Sequence, residues 1–281
     1  AAVELNVTPG ALSHQIRGLE DFLGLRLFER RTRSVALTAQ GKLLYPGLQA
    51  GFGLIREAVA GLRTGGDDRV LVLSTSPGLT AKWLAARLYR FAEAHPDIDL
   101  RISSSPSYAN FAADGVDAAI RSAPSSAGND STLVYEKLVE AKLIAVCSPK
   151  LIERFGPLDR PGVLPQVPFL HDDALAGYPE APSWARWLEA VGLPGSDLTR
   201  GLRFNHSNHA LDAALEGAGL LLTQNILAYD DLRNGRLVMP FDVALPSGRS
   251  YFFVYPEAKK NERKVQVLRD WILEEIASMS R

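Results

Sequence analysis

Three hydroxyl-rich segments of the 281-residue chain carry the side chains best suited to binding a polar ligand. In open α/β sheets, ligands bind beyond the carboxyl ends of strands, where helix N-termini present free N–H groups. Each segment has the pattern of such a strand end. The segments therefore predict a polar cleft for a small carboxylate or amide, although capping of the following helices is an open alternative. They are Ser74 to Ser76, Ser103 to Ser105 with Ser107 and Tyr108, and Asn205 to Ser207.

The sequence motifs of common enzyme classes do not occur. Gly-x-Ser-x-Gly, His-Glu-x-x-His, Walker A and a complete Gly-x-Gly-x-x-Gly pattern are all absent from the sequence. His206 and His209 have i, i+3 spacing that could hold a metal, but a third ligand is not evident and a solvated helix start is more common. We predict no catalytic residue, no metal site and no cofactor.

Composition indicates a folded cytoplasmic protein of two or three compact units. Hydrophobic residues make up 46% and charged residues 22% of the chain, which excludes extensive disorder and coiled-coil rods. The sequence has neither an apolar stretch of about 18 residues nor a secretory signal, so no membrane partner is expected. Cys147 is the single cysteine, which rules out an intrachain disulfide, and it ends an apolar run typical of a buried core.

The N-terminal segment has the charge and pattern of a DNA-reading helix. Residues 1–65 carry a net charge of +3 and the remainder −4. Thr8-Pro9 predicts a helix start, and the helix is expected to run to Gly24. Its apolar stripe, Leu12, Ile16, Leu19 and Leu23, is predicted to be buried.

The opposite face of this helix offers donors for DNA. Ser13, His14 and Arg17 project from it near the N-terminus, where a helix entering the major groove would meet base edges. An ordinary solvated face is the alternative.

The next segment, Arg26 to Leu37, predicts a β-wing. It places four arginines around the apolar pair Leu27-Phe28 and ends in a short alternating run. Arginines on such a loop neutralise phosphates, which supplies affinity without reading sequence. We therefore assign phosphate contacts to Arg30, Arg31 and Arg33; a basic surface loop without this role is the alternative.

Thr38 predicts the start of a further helix with a heptad seam. A long helix with an apolar seam usually pairs with another, so we predict dimerisation through residues 39–63. Pro46 is expected to bend the helix, and residues 64–68 have the composition of a linker. The seam residues are Leu48, Phe52, Ile55, Val59 and Leu62.

Residues 69–281 predict an α/β body. Arg69 to Thr75 and Ile98 to Ser103 are expected to be strands joined by one amphipathic helix that reaches about Ala94, the order of a parallel βαβ unit. Further strands are predicted over 116–121 and 143–147, and further helices over 183–191, 207–216 and 262–276.

The N-terminal pattern resembles the winged helix-turn-helix of LysR-type transcriptional regulators. The resemblance implies that Thr8, Pro9 and Gly10 also contact DNA, because this position begins the family's recognition helix. It further implies promoter DNA as a partner and self-association to a dimer or tetramer. It rests on Val7 to Arg17, Leu19-Glu20, Leu23-Gly24, Leu27 to Arg30, Leu37-Thr38 and Gly41.

The rest of the chain is similar to the subgroup of glycine-cleavage and AmpR-like regulators. This implies a small-molecule effector domain of two α/β subdomains, as in periplasmic binding proteins, with crossings near residues 137–145 and 240–250. It also implies that the effector is contacted by Thr75, Ser76, Ser105, Ser207 and Tyr251. Tyr108 and Asn205 are predicted to contact the effector on the residue pattern alone. The resemblance rests on Trp83-Leu84, Arg87-Leu88, Phe91, His95 to Ile98, Asp117 to Arg121 and Gly235 to Val238.

The predicted organisation has three parts: a winged helix-turn-helix over 1–38, a linker and dimerisation helix over 39–66, and the effector domain over 67–281. Within the last, subdomain I is expected over about 67–140 and 245–281, and subdomain II over about 141–244. Family members carry about a helix and a half before the position of Ala1, so we expect the chain to be truncated. A cytosolic binding module without DNA function, and an enzyme that consumes its ligand, are the alternative functions.

Overall fold

The computed structural model divides the chain into two compact units, Ala1–Gly65 and Gly66–Arg281. The residues that the structure describes are 8–31, 34–45, 47–48, 51–52, 55, 69–111, 114–128, 132–158, 160–176, 183–195 and 200–279.

Helix α1 (Pro9–Leu23) is bounded by the predicted capping residues. The Thr8 hydroxyl oxygen accepts a hydrogen bond from the Ala11 amide at 3.2 Å. At the other end, Gly24 takes a φ of 64°, a left-handed conformation that costs glycine little. The local sequence is therefore sufficient to set both ends of this helix.

The apolar stripe of α1 is less buried than predicted. Within the described residues, Leu12 and Ile16 are half-buried, whereas Leu19 and Leu23 are exposed. The prediction of a buried stripe is therefore wrong for this part of the unit. The described residues around α1 form only a hairpin and part of a second helix, which provide too little apolar surface to cover the whole stripe.

The wing and the start of the second helix follow the sequence pattern. Strands β1 (Phe28–Arg31) and β2 (Ser34–Leu37) pair antiparallel, with Phe28 opposite Leu37 and Arg31 opposite Ser34. Thr38 then begins helix α2, because its hydroxyl accepts from the Gly41 amide at 3.0 Å. In α2 the structure describes helical residues at 39–45, 47–48, 51–52 and 55.

The second unit is built on one mixed sheet of eight described strands in the order β4-β3-β5-β10-β6-β9-β7-β8. β3 runs parallel to β4 and β5, β7 runs parallel to β8 and β9, and β10 is antiparallel to both β5 and β6. The strands are β3 (Val70–Thr75), β4 (Asp99–Ser104), β5 (Ala118–Pro124), β6 (Leu133–Val146), β7 (Phe169–Asp172), β8 (Leu202–Phe204), β9 (Leu220–Gln224) and β10 (Ala244–Pro256).

Strands β6 and β10 are the long strands that connect the two halves of the sheet. β10 pairs with β5 on one side, whereas the carboxyl end of β6 pairs with β9. The predicted strand at 143–147 started too late, since β6 begins at Leu133. Glu136, Lys137 and Glu140 interrupt the apolar pattern of its first part, which is mostly half-buried, so the sequence signal marked only the buried end.

The predicted single helix between β3 and β4 is broken in the structure. Arg87, at the break, turns back to donate to the Trp83 carbonyl at 2.7 Å and binds both oxygens of Asp230 at 2.5 and 2.7 Å. These contacts tie the break to a neighbouring helix, which periodicity along one helix does not reveal. The pieces are α3 (Pro77–Leu79), a π-helical turn (Thr80–Leu84) and α4 (Leu88–Ala94).

The remaining helices cover both faces of the sheet. Side chains of β6 alternate between two apolar clusters, with Ile144 and Val146 in one and Leu143 and Ala145 in the other. The sheet is therefore a rigid, doubly covered frame. The helices are α5 (Pro149–Phe155), a 3-10 helix (Pro161–Gln166), α6 (Asp173–Ala176), α7 (Trp184–Ala190), α8 (Ser207–Leu215), α9 (Asn225–Arg233), a 3-10 helix (Glu257–Lys259) and α10 (Arg263–Ser278).

Candidate functional site

A cleft of about 240 Å³ lies in the second unit, where the carboxyl ends of β3, β5, β7 and β9 meet the first residues of α3 and α8. Its position is the one that open α/β sheets use for ligands. The described residues that line it are mostly polar or small, and none of them is acidic. They are Ser76, Pro77, Gly78, Pro106, Tyr108, Arg121, Ser122, Ala174, Leu175, Asn205, His206, Ser207, Gln224, Leu227 and Tyr251.

The structure brings five of the seven predicted effector residues together in this cleft. All three hydroxyl-rich segments contribute, although they are far apart in the chain. The five are Ser76, Tyr108, Asn205, Ser207 and Tyr251.

The side chains of Thr75 and Ser105 do not line the cleft, contrary to the prediction. Thr75 is fully buried, because successive residues of a strand point to opposite sides and Ser76 takes the cleft side. The Ser105 amide donates to the Thr75 carbonyl at 3.0 Å, and the Ser105 hydroxyl accepts from the Ser107 amide at 3.2 Å. These two residues therefore shape the backbone of the cleft wall.

Arg121 is the cation of the cleft wall that sequence reasoning did not assign to the site. It is buried, and it donates to the Ser105 carbonyl at 2.7 Å and to the Ser74 hydroxyl at 2.6 Å. The bonds hold the guanidinium of this β5 residue against Ser74 of β3 and against the residue that follows β4. The signal for it in the sequence was an arginine directly after the apolar residues 118–120, since a charged residue within an otherwise apolar strand is expected to face a site rather than the core.

Hydrogen bonds fix the two tyrosines of the cleft. The Tyr251 hydroxyl donates to Gln224 Oε1 at 2.5 Å, which links β10 to β9. The Tyr108 hydroxyl donates to the Ser122 carbonyl at 2.9 Å and accepts from Arg249 at 3.2 Å. Both rings are thus held in place before any ligand binds, which lowers the entropic cost of binding.

Capping explains one of the hydroxyls but not another. The Ser76 oxygen accepts from the Leu79 amide at 3.4 Å and so caps α3. Ser207 is the first residue of α8, and the cap position is occupied by His206, which makes no side-chain capping bond. The Ser207 hydroxyl is therefore not used as the helix cap.

A half-buried carboxyl group, that of Asp172, lies beside Ser207. Asp172 ends β7, and its Oδ1 accepts from the Ala174 amide at 3.1 Å, while its Oδ2 is buried and accepts no hydrogen bond from the described residues. Burial raises the pKa of this carboxyl, and the neighbouring Ser207 hydroxyl opposes that shift. Asp172 does not itself line the cleft, but its neighbours Ala174 and Ser207 do.

Gly78 lies on the cleft wall close to Ser207 and Leu227. A Cβ atom at this position would lie 3.4 Å from Ser207 Cβ and 3.6 Å from Leu227 Cδ1. These are ordinary contact distances, so a methyl group would fit here and would fill space that glycine leaves open in the cleft wall.

In the first unit, the polar face of α1 is accessible for the predicted DNA contacts. Thr8, Gly10, His14 and Arg17 are exposed and Ser13 is half-buried, while Pro9 is the first helical residue. The Arg17 Nε donates to the Ser13 carbonyl at 3.2 Å.

Glu20 connects α1 to the wing. Its Oε1 accepts from the Leu27 amide at 2.7 Å and from the Phe28 amide at 3.0 Å, and these bonds hold the pKa of Glu20 below its usual range. The side chain thus positions the base of the wing relative to α1. In the sequence, Glu20 is recognisable only as part of the family motif.

The wing and seam residues are only partly described. Arg30 and Arg31 lie in β1, and Arg33 is outside the described residues. In α2, Leu48, Phe52 and Ile55 are exposed to 41%, 62% and 58%. Val59 and Leu62 of the predicted seam are outside the described residues.

The part of the chain that the structure describes has neither a metal-binding cluster nor a membrane-spanning helix. We find no group of three histidine, cysteine, aspartate or glutamate side chains there that could hold a metal ion. Of the helices described, none has the length and hydropathy needed to cross a membrane.

Two family profiles match the chain. The "LysR substrate binding domain" profile matches residues 64–277, and the "Bacterial regulatory helix-turn-helix protein, lysR family" profile matches residues 1–42. One profile therefore matches most of the first compact unit and the other nearly all of the second.

Relatives with assigned roles match over nearly the whole chain. The chain is 36% identical over 278 residues to the glycine cleavage system transcriptional activator of Escherichia coli K12, covering 99% of this chain and 88% of the relative. It is 34% identical over 273 residues to the transcriptional activator AmpR of Rhodobacter capsulatus, covering 97% and 89%. The solved effector domain of the regulator AmpR of Pseudomonas aeruginosa matches 74% of this chain and 96% of its own, with a TM-score of 0.58 and 29% identity. These relatives are transcriptional regulators rather than enzymes.

Proposed function

Because the chain belongs to the LysR family of DNA-binding transcriptional regulators, we propose that it senses a small metabolite bearing a carboxylate or an amide and alters promoter binding in response. The metabolite would bind in the cleft of the second unit, and α1 with the wing would bind the DNA. Family membership does not favour the alternative of a binding module without DNA function.

The proposed chemical class of the effector is supported by the chemistry of the cleft wall. A buried arginine, Arg121, lies among neutral donors and acceptors, and the described lining has no carboxylate that would repel an anion. Ser76, Asn205, Ser207 and Gln224 add hydrogen-bonding groups. An arginine with oriented neutral polar groups is the donor set that binds a carboxylate, and neutral polar groups alone bind an amide.

A ligand can regulate DNA binding only if it binds one arrangement of the protein more tightly than another. The cleft lies between the two halves of the sheet that β6 and β10 connect. Ligand contacts to both halves, through Ser76 on one side and Ser207 on the other, would favour the closed arrangement.

For DNA, we assign base contacts to Ser13, His14 and Arg17 and phosphate contacts to Arg30, Arg31 and Arg33, with Thr8, Pro9 and Gly10 at the start of the helix. Replacing Arg30 and Arg31 with alanine should weaken binding to every sequence and reduce the salt slope by about 0.9 per lost phosphate contact. Replacing His14 with alanine should instead change the preferred sequence, measured by selection from a random DNA pool. An unchanged salt slope would refute the wing assignment.

Self-association is supported by the apolar side chains of α2. Leu48, Phe52 and Ile55 are large and exposed in the single chain, and their spacing is that of a helix pair. We propose that they continue with Val59 and Leu62 into a dimer seam, with tetramers as a further assembly. Sedimentation of Phe52→Glu should show loss of the dimer, whereas an unchanged mass would refute the seam.

We place the regulator in the cytoplasm, where chromosomal DNA is available to it.

The effector site is tested by a thermal-shift screen of the full chain with amino acids, small carboxylates and cell-wall peptides. A ligand at 100 times its Kd should stabilise the fold by about 2.7 kcal/mol, which is roughly 5–11 °C for a unit of this size. Mass spectrometry should recover the ligand unchanged, and a converted ligand would instead indicate an enzyme.

Variants then locate the binding site. Ser207→Ala should reduce the thermal shift and leave DNA binding intact. Ser183→Ala is the matched control, because Ser183 is exposed, makes no capping bond and lies outside the cleft. Equal effects of the two variants would show that the ligand binds elsewhere.

A further inference from the structure

Strand β10 has an irregularity at the point where it passes from one half of the sheet to the other. Residues 244–246 pair with the end of β6 that also pairs with β9, whereas residues 249–254 pair with β5. Between these two parts, residues 247–249 lie opposite the single residue Ala141 of β6, which makes a β-bulge. Gly248 at its centre takes a φ of 72°. A bulge interrupts the ladder of backbone hydrogen bonds and bends the strand, so this point is suited to be a hinge.

Buried side chains fix the bulge on both sides. Ser247 Oγ donates to the Ala141 carbonyl at 2.6 Å and accepts from the Arg249 amide at 3.2 Å. Arg249 is 4% exposed, and its guanidinium donates to the Ser122 carbonyl at 2.6 Å and to the Ser122 hydroxyl at 3.1 Å. The same guanidinium donates to the Tyr108 hydroxyl at 3.2 Å. A change in the bend of β10 therefore changes bonds that end at Tyr108 and Ser122.

These bonds lead from the bulge to the wall of the effector cleft. Tyr108 and Ser122 line the cleft, whereas Arg249 and Ser247 are not among the described residues that do. The Tyr108 hydroxyl donates its one hydrogen to the Ser122 carbonyl at 2.9 Å and accepts from Arg249. A compound that hydrogen-bonds to this hydroxyl must share or replace one of these bonds. Binding in the cleft thereby alters the contacts of Arg249 without touching it.

We propose that Arg249 is a positioning residue that couples the effector cleft to the bulge of β10. When a compound in the cleft moves Tyr108, the Arg249 side chain follows, and the bend at the bulge changes the arrangement of the two halves of the sheet. Hydrogen-bond networks carry coupling between sites when they end at an element with two arrangements. The inference rests on the proposed function of the cleft and adds the route from effector to response.

The test separates binding of the effector from the response to it. Its two probes are the compound of the thermal-shift screen that stabilises the wild type most, and the DNA fragment that the wild type selects from a random pool. The coupling factor is the ratio of the DNA Kd values without and with the compound, which is added at 100 times the Kd that calorimetry gives for each variant. For allosteric proteins such a factor is typically about 5- to 150-fold.

Arg249→Gln is the main variant. Glutamine keeps a donor near the Ser122 hydroxyl but is too short to reach Tyr108. The coupling factor should fall to less than about twofold, while the Kd of the compound changes by less than about tenfold because Arg249 is not on the cleft wall. Ser247→Ala, which removes the bond from the bulge to β6, should also lower the coupling factor.

Tyr108→Phe removes the same bond from the cleft side. Because Tyr108 is 63% exposed, this variant tests the bond without disturbing the buried guanidinium. Its coupling factor should fall to the level of Arg249→Gln. The matched control is Arg101→Gln on β4, whose side chain is 54% exposed and pairs with Asp99, so its coupling factor should stay within about twofold of the wild type.

The outcomes distinguish the coupling role from the sensor function. A wild-type coupling factor in Arg249→Gln or in Tyr108→Phe, or an equal loss in Arg101→Gln, would overturn the role of Arg249. Loss of compound binding in Arg249→Gln would also overturn it, because the guanidinium would then belong to the binding site itself. If no compound changes the DNA affinity of the wild type, the proposed sensor function fails instead.

Discussion

Replacing Gly78 with alanine should make the protein more stable and its ligand binding weaker. Gly78 is helical in α3, buried, and on the wall of the cleft. The new methyl group would lie 3.4 Å from Ser207 Cβ and 3.6 Å from Leu227 Cδ1, which are ordinary contact distances. The folded state therefore accepts the methyl group without a clash, whereas a ligand loses the space that it occupies.

The two effects have calculable sizes. Alanine in place of a helical glycine stabilises a protein by about 0.5–1 kcal/mol, which corresponds to a rise in Tm of roughly 1–4 °C for a unit of this length. Overpacking a site costs about 1–3 kcal/mol, so ligand affinity should fall by about 5- to 150-fold. Calorimetric melting without ligand measures the first effect, and titration with the tightest compound of the screen measures the second.

Two other glycines provide controls. Gly162→Ala, which would meet no atom within 4 Å, should affect stability alone. Gly219→Ala should lower the Tm, because its Cβ would lie 2.6 Å from the Pro168 carbonyl oxygen. A lower Tm for Gly78→Ala, or an unchanged Kd, would refute the assignment of Gly78 to the ligand-binding surface.

Three further perturbations test the frame around the sites. Arg87→Met should lower the free energy of unfolding in urea by about 2–4 kcal/mol, because it leaves Asp230 unpaired. Arg101→Met, which removes an exposed ion pair, should change the free energy of unfolding by less than about 0.5 kcal/mol. Similar losses in the two variants would refute the structural role of Arg87. Glu20→Gln should weaken DNA binding without affecting the thermal shift by ligand, since the amides at the base of the wing lose a charged acceptor; unchanged DNA affinity would contradict this. Burial raises the pKa of the Cys147 thiol from 9.0 to about 12, so the thiol loses its proton at lower pH in the unfolded chain than in the folded protein. The free energy of unfolding should therefore fall as pH rises above about 9, and Cys147→Ala should lack this contribution. Equal slopes of the free energy of unfolding against pH for the two proteins would show that the thiol is accessible.

Helices and strands whose ends are set by residues close together in the chain were predictable from the sequence. Thr8-Pro9 and Gly24 bound α1, and the alternating run after Arg26 forms the wing, because caps and turns act over three or four residues. The apolar runs at β3 and β4 were equally clear. The break in the helix after β3 was not, since Arg87 reaches an aspartate 143 residues away in the chain.

The ligand cleft was predictable only in part. Its hydroxyl-rich strand ends were visible in the sequence, because they interrupt apolar runs where helices follow. Whether Thr75 or Ser76 faces the cleft depends on where the strand ends and which face the sheet buries, and one residue of difference reverses the answer.

The sequence by itself determined the family pattern, the recognition helix with its wing, and the location of three polar strand ends, since each depends on residues close together in the chain. Only the tertiary structure decided that Arg121, Gln224 and Gly78 join those segments, and that the Asp172 carboxyl lies beside Ser207. These residues meet because parallel strands from both halves of the sheet end at one cleft. Burial and charge at a site depend on what surrounds each side chain in space, which local sequence does not specify.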